Sequence, residues 1–358
     1  MGLLERIYRS VALKVFLPQL AIIVLSLVIV ILVAVQGINK LTQNTINQEV
    51  TLIKDRIATF VSMRQLVVTS NIVTLSHNAA LAEALVNENR QDAQNFVNDV
   101  IRSFNGIKRA GNPNAADTGI GIRVMDAKGK IVATSTSFNK IGEDMSSSWS
   151  LRKMTADSGF ISTKDYGSQG IVVRTVSPIV YEGKLVGVLE GLENIGDVIR
   201  DYMTAHDFKF MITLDKKYAD KAVNITDRRF FNGNLIVNPE DVNKDPALVA
   251  AVEKAGLNRD THYLRIAGNF VMPIGLLTTP SLSKATVKDE GEYIGTLYLA
   301  TPEKNVFSIV NAARTVAIEL MVAFVLAFIV STVLIALVLT FNVIKPMKHL
   351  AVELRDLS

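Results

Sequence analysis

Gly170–Glu193 reads GIVVRTVSPIVYEGKLVGVLEGLE, and the rest of the chain can be interpreted around it. Valine, isoleucine and leucine alternate there with polar residues, and the run breaks at Glu182, Gly183 and Lys184. That is the pattern of two antiparallel strands joined by a tight turn. Ile120–Ser135 (IGIRVMDAKGKIVATS) shows the same pattern around a turn at Ala127, Lys128 and Gly129. Glycine at such tips supplies the positive φ that hairpin turns demand. Between the two lies Ser146–Ala156, SSSWSLRKMTA, with the single tryptophan of the chain, Trp149. An antiparallel sheet crossed by a short helical connection leaves a concavity between the two, a place for a small ligand.

A second stretch echoes the first. Gly183–Asn194 (GKLVGVLEGLEN) matches Gly291–Pro302 (GEYIGTLYLATP), and Thr175–Val180 (TVSPIV) has a looser partner in Phe270–Gly275 (FVMPIG). Any hairpin can produce G-x-x-V-G, but two matches in the same order predict one sheet module used twice. Phe208–Asp215 (FKFMITLD) opens the second module. Pro246–Gly256 (PALVAAVEKAG) predicts a helix with proline near its start and glycine at its end.

Composition narrows the class. Hydrophobic residues make up 49% of 358 and the mean hydropathy is +0.28, which points to membrane segments. The absence of cysteine excludes disulfides, thiol catalysis and cysteine-ligated metals. His77, His206, His262 and His349 stand singly, without metal-ligand spacing. A net charge of +4 is too small to argue for nucleic acid. G-x-S-x-G, H-E-x-x-H and a phosphate-binding loop are all missing, and Asp126, Asp144 and Asp165 sit at predicted turns. An enzyme is not expected.

Val15–Val35 and Leu320–Phe341 are uncharged apolar runs of membrane-spanning length. The first is too long for a secretory signal, and Pro18 is expected in a first helical turn. Arg6, Arg9 and Lys14 precede the first run; Lys345, Lys348 and Arg355 follow the second. The positive-inside rule therefore predicts both termini in the cytoplasm, with the intervening residues outside. From Gly37 to Ile107 the chain reads helical, with an apolar stripe through Ile46, Val50, Ile53, Ile57 and Val61 and a break at Ser76, His77 and Asn78. The stripe covers the sheet, and near the membrane it also predicts a dimer seam. Asn105–Gly119, rich in glycine and asparagine, predicts a loop. A short helix is expected at Ile195–Met203, and Lys304–Arg314 is expected to form a helix running straight into the second span.

The order of these parts resembles the membrane sensor half of bacterial methyl-accepting chemotaxis proteins whose outer part is a double Cache domain. The residues that carry the resemblance are VMDAKGKIVATS, IGEDM-x-x-x-W and the SPIVYEGKLVGVLEG hairpin. IKPMKHLAVEL, at Ile344–Leu354, resembles the opening helix of a HAMP linker, with Pro346 and Glu353 in place. The resemblance implies an α+β fold, with two transmembrane helices flanking a long helix and two PAS-like, Cache antiparallel-sheet modules. Its expected boundaries are a cytoplasmic tail (1–14), a first span (15–36), a periplasmic sensor (37–314), a second span (315–341) and the start of a HAMP linker (342–358). Within the sensor, 37–109 is the long helical segment, 110–197 the membrane-distal module and 205–304 the membrane-proximal one. Amino-acid-binding members often carry Arg-x-x-Trp-Tyr before the pocket helix. This sequence has Ser147, Ser148, Trp149 and Ser150 there, and Leu192 where the amine-binding aspartate falls, with Glu193 one residue out of register.

On this resemblance the pocket helix presents Trp149, Arg152 and Lys153, and the strands offer Arg123, Tyr166, Arg174, Ser177 and Tyr181. Guanidinium and ammonium groups in a cleft select a carboxylate, Arg in bidentate fashion. Neighbouring helical side chains point about 100° apart, so Arg152 and Lys153 cannot both face inward. Arg174 is the strongest candidate, because a charge amid valines needs a partner. The implied function is a transmembrane chemoreceptor in the inner membrane that senses a small organic acid through its distal module. Its partners are that ligand, a second copy, the membrane and cytoplasmic signalling proteins reached through an output domain beyond Ser358. No cofactor, metal or nucleic acid is expected. Two alternatives remain: the sensor half of a histidine kinase or diguanylate cyclase, and a membrane-anchored scaffold that binds other proteins.

Overall fold

The computed structural model describes residues 3–111, 119–137, 140–148, 151, 154–156, 158–203, 208–278 and 291–339, with isolated positions from 341 to 352. The fold is α+β. Residues 1–49 together with 304–358 form one compact unit, and Val50–Glu303 forms another.

Two long helices supply the first unit. Helix α1 runs from Leu3 to Ser76 and continues into the second unit; α7 runs from Glu303 to Leu339. Both are long and apolar enough to cross a membrane. The side chains of Ile22, Leu25, Val33, Leu320, Phe324 and Leu334 lie exposed along them, as lipid-facing residues do. Pro18 lies well inside α1 rather than in its first turn, so it removes one interior backbone donor.

In the second unit α1 turns one face inward, burying Val50, Ile53, Ile57, Val61, Val68 and Ile72 at three- to seven-residue steps. It ends where the sequence predicts. The Ser76 hydroxyl bonds back to the Val73 carbonyl at 2.8 Å, and the Asn78 side chain caps α2 (Ala79–Val86) by accepting from the Leu81 amide. Helix α3 spans Arg90–Gly111. It runs on through Asn105–Gly111, where a loop was expected. Asparagine and glycine weaken a helix without stopping it, and Lys108 in the added turns pairs with Asp201 at 3.0 Å.

The first sheet has the order β2-β1-β5-β4-β3, all antiparallel: β1 is Ile120–Asp126, β2 Ile131–Thr134, β3 Ile161–Gly167, β4 Gly170–Tyr181 and β5 Lys184–Asn194. The predicted turns join β1 to β2 and β4 to β5, with positive φ at Gly129, Glu182 and Gly183. Ile120, Ile122, Val124, Val173, Ile179 and Leu189 pack one face against α1, α2 and α3. Each such side chain contributes about 1.5–3 kcal/mol on leaving water.

Helix α4 (Ile195–Met203) leads to the second sheet, ordered β7-β8-β6-β11-β10-β9. Its strands are β6 (Lys209–Leu214), β7 (Phe230–Phe231), β8 (Asn234–Ile236), β9 (Leu264–Ile266), β10 (Asn269–Leu277) and β11 (Tyr293–Pro302). A 3-10 turn covers Lys216–Lys221; the short α5 (Pro239–Val242) and α6 (Pro246–Lys254) follow β8. Asp245 caps α6 and Gly256 follows its end with positive φ, so the predicted helix stands.

The internal echo has a structural basis. β5 lies between β1 and β4 as β11 lies between β6 and β10. The echoed prolines differ in pairing: Pro178 faces Val188, whereas Pro273 faces Tyr298, two residues further along than the echo predicts. A two-residue slip leaves every side chain on its own face. One shared glycine serves both sheets. A methyl built on Gly187 would lie 2.5 Å from the Met125 carbonyl oxygen and 2.6 Å from Leu85 Cδ1. On Gly295 it would lie 2.1 Å from the Thr213 carbonyl oxygen and 2.8 Å from Ile171 Cδ1.

Candidate functional site

Strand alternation gives the first sheet two chemically different faces. The face toward α1 carries hydroxyls as well as aliphatics. Thr69 and Gln65 of α1 bond to the Ser162 hydroxyl at 2.6 and 3.2 Å, Thr69 lies 3.1 Å from the Thr175 hydroxyl, and Ser76 meets Ser177 at 2.8 Å.

The opposite face carries the charges. Arg123 of β1 and Glu190 of β5 are direct cross-strand neighbours, and Arg123 Nη2 lies 2.6 Å from Glu190 Oε2. From β4, Arg174 Nη1 approaches the other oxygen of Glu190 at 3.4 Å, and its Nε lies 3.9 Å from Asp165 Oδ2 on β3. Glu190 is 3% exposed and Arg123 4%, so a single buried carboxylate bridges two guanidiniums. Burial pulls Arg123 below its ordinary value; Glu190 opposes this and the Arg174 charge adds to it. The guanidinium stays charged at any physiological pH. The Arg174 contacts are long, and among the described residues its buried Nε has no hydrogen-bond partner. Beside these charges, Met125, Ile131, Met154, Ile161, Val176 and Val188 form an apolar wall, with Met145 and Leu151 of the crossing connection packed on it.

The structure thus divides the residues expected at the site. Arg123 and Arg174 converge. Ser177 lies on the face toward α1, bonded to Ser76, and Tyr181 packs against the cluster on that side. The Tyr166 ring stacks on Tyr218 of the 3-10 turn, centroids 3.9 Å apart. Trp149, Arg152 and Lys153 lie outside the described residues. Sequence reading missed Glu190 and Asp165. Glu190 carried a usable signal, a charge inside an apolar strand, which is the same argument that singled out Arg174. Asp165 carried none, since aspartate near a turn is commonplace. Glu193 points to α1, where Arg64 holds it.

Chemically, two cations and two carboxylates in one dry patch form a neutral network whose weaker links are those of Arg174. An incoming carboxylate offers Arg174 the short bidentate geometry that Asp165 and Glu190 do not provide. Among the described residues no cluster of three His, Asp or Glu side chains could hold a metal ion.

Comparison with known proteins finds several solved sensor and ligand-binding domains. The sensor domain of the V. cholerae histidine kinase DctB is 11% identical, with a TM-score of 0.37 over 73% of this chain and 98% of that one. The ligand-binding domain of the Pseudomonas fluorescens chemoreceptor CtaA, solved with L-isoleucine, is 14% identical, with a TM-score of 0.36 over 76% and 98%. That of the P. aeruginosa PAO1 amino acid chemoreceptor PctC, solved with GABA, is 12% identical, with a TM-score of 0.36 over 72% and 99%. No curated protein sequence matches the chain. The family dCache_3, described as the double sensory domain of two-component sensor kinases, matches residues 43–273. With that match covering more than half of its length, the chain belongs to the dCache_3 family of double sensory domains.

Proposed function

We propose that the chain is a transmembrane receptor whose membrane-distal module, residues 110–197, binds a small extracytoplasmic carboxylate. The observation that carries this reading is Arg174, whose buried Nε has no hydrogen-bond partner among the described residues and whose ion-pair contacts there are 3.4 and 3.9 Å long. Ligand exchanges for those contacts, and Arg123 stays locked to Glu190. The remaining parts follow from the sequence: a periplasmic sensor over 37–314 with its proximal module at 205–304, both termini in the cytoplasm, and a homodimer seamed along α1. Binding shifts the population between two arrangements of the helices that enter the membrane. The signal then passes through α7 to a HAMP linker beginning at residue 342 and to a chemotaxis output.

A second reading, the sensor half of a two-component histidine kinase, is favoured by the description of the family. The coding sequence beyond Ser358 separates the two: a kinase core supports the second and a methylated helical hairpin the first.

The ligand reading is tested with the full chain in nanodiscs, by a thermal-shift screen of organic acids followed by calorimetry on the hits. Arg174→Ala is expected to weaken binding by about 2–5 kcal/mol, the range for removing one side of a buried charge pair. Arg174→Lys binds more weakly than wild type too, because the planar fork is lost. Unchanged affinity in Arg174→Ala, or hits confined to cations, would sink the reading.

A further inference from the structure

Where β5 ends, its carboxylate Glu193 is 1% exposed. Both oxygens are taken by Arg64 of α1: Nε lies 2.8 and 3.1 Å from them and Nη2 lies 2.6 Å from Oε1. This bidentate pair is a charged tie between the sheet and the helix that continues toward the first apolar span. Among the described residues, Lys164 of β3 shares this face of the sheet, two strands away from Glu193. Asp197 and Asp201 of α4 bear on it as further negative charges. Lys108 of α3 is taken up by Asp201, and Arg200 by Asp197 and Asp241. The neighbouring strands place Ile120 and Val173 opposite Glu193, and neither titrates.

We propose that the Arg64–Glu193 tie is a proton-operated latch, which gives this sensor a second input: acidification protonates Glu193 and releases α1 from β5.

Three features make the latch workable. A neutral acid is far easier to keep buried than a carboxylate, whereas Arg64, one-quarter exposed, can turn to water once its partner loses charge. Burial, helped by the Asp201 and Asp197 charges, raises Glu193 above the ordinary carboxylate range against the pull of Arg64. Because the folded value lies above the unfolded one, the folded protein binds the proton more strongly in the window between them. Acidification through that window therefore favours the fold, and the change is a local release rather than unfolding. The inference is independent of any organic ligand.

The test uses the full chain in nanodiscs, taken from about pH 8 to about pH 5, within the range of maximal stability of most folded proteins. Two quantities are read: the infrared carbonyl band of a protonated carboxylic acid, and hydrogen exchange over residues 50–76, corrected for the intrinsic effect of pH. The band is expected to grow in the wild type and to be missing in Glu193→Gln. Exchange over 50–76 should rise about tenfold across the same titration, the factor equivalent to one pKa unit of coupling. Glu193→Gln should show the fast exchange at every pH. Arg64→Gln, which leaves Glu193 buried without its cation, should move the band to higher pH. The proposal is overturned if the band persists in Glu193→Gln, or if exchange stays flat while the band grows. If Glu193→Gln fails to fold, Arg64→Gln takes its place: an upward move of the band together with fast exchange over 50–76 at every pH upholds the latch, and an unmoved band or slow exchange removes it.

Discussion

The two sheets of the second unit share a strand plan but finish equivalent positions in opposite ways. In the first sheet, Arg123 lies across from Glu190 and Arg174 across from Leu192. The echo between β5 and β11 places Tyr298 at the position of Glu190 and Ala300 at that of Leu192. Their partners across the strands are Met211 and Val271. Arg123, Glu190 and Arg174 therefore have apolar or aromatic counterparts in Met211, Tyr298 and Val271. The second face is closed by α6, whose Leu248 and Val252 pack with Met211, Val271, Tyr298 and Ala300 in one buried cluster. A cavity of about 40 Å³ remains beneath α6, with a second pocket of about 220 Å³ beside it, lined by Arg200, Phe208, Lys209 and Asp241. The two sheets thus share a backbone plan while one is filled by its own helix and the other holds buried charge. The difference is consistent with the proposal that ligand binds at the first sheet.

The largest effect that can test this contrast is at Arg123. Arg123→Ala strands Glu190 as a buried, half-compensated carboxylate and should cost roughly 3–5 kcal/mol of stability, read by urea unfolding. Giving the first sheet the residues of the second, Arg123→Met with Glu190→Tyr, should recover most of that loss, since well-packed apolar pairs often replace buried ion pairs without penalty. If the double variant is as unstable as Arg123→Ala, the two faces are not interchangeable and the equivalence fails.

On the second sheet, Leu248→Ala opens the α6 cluster and should cost about 2–3 kcal/mol, toward the low end for leucine because Leu248 keeps slight exposure. The enlarged cavity should then take up small apolar molecules, detected as a rise in melting temperature. A cost near zero would mean that α6 does not seal that face.

The smallest effect concerns the cap of the same helix. The Asp245 carboxylate accepts from the Leu248 amide at 3.1 Å and from the Lys209 ammonium. Lys209 foremost, with the Leu248 amide, holds Asp245 below the ordinary carboxylate range. A lowered folded value means that its contribution is present above the unfolded value and is lost as pH falls through the folded one. Asp245→Ala should cost about 1 kcal/mol near neutrality. The gap between variant and wild type should close in acid; a gap independent of pH would assign the cost to something other than the carboxylate.

Much of this arrangement was legible in the chain. Alternation in β4 put Arg174 with Val172 and Val176 on one face and Ser177 on the other, and the structure keeps that division. What alternation cannot reveal is the partner, because Asp165 and Glu190 reach Arg174 only through the register of β3, β4 and β5. Tyr181 was readable by the same count: two residues beyond Ile179, it falls on the Ser177 face, where it packs against the α1-side cluster. Tyr166 was assigned by position in a strand, but its ring is claimed by Tyr218 from a distant part of the chain. The end of α3 was misplaced because composition suggested a loop where the Lys108–Asp201 pair sustains helix.

Gly187 and Gly295 occupy the same place in the echoed strands, and each admits one aliphatic tip beside a cross-strand carbonyl oxygen. The two tips differ in origin: Leu85 comes from α2, and Ile171 from β4 of the first sheet. The glycine is thus a socket, and the first module plugs into the second through the kind of fitting in which the first receives its own helix. Such a joint can be repeated, since any unit that offers a methyl at the right height can be mounted on the next. Stacked sensory modules would then grow by copying one notch, with no new interface to invent.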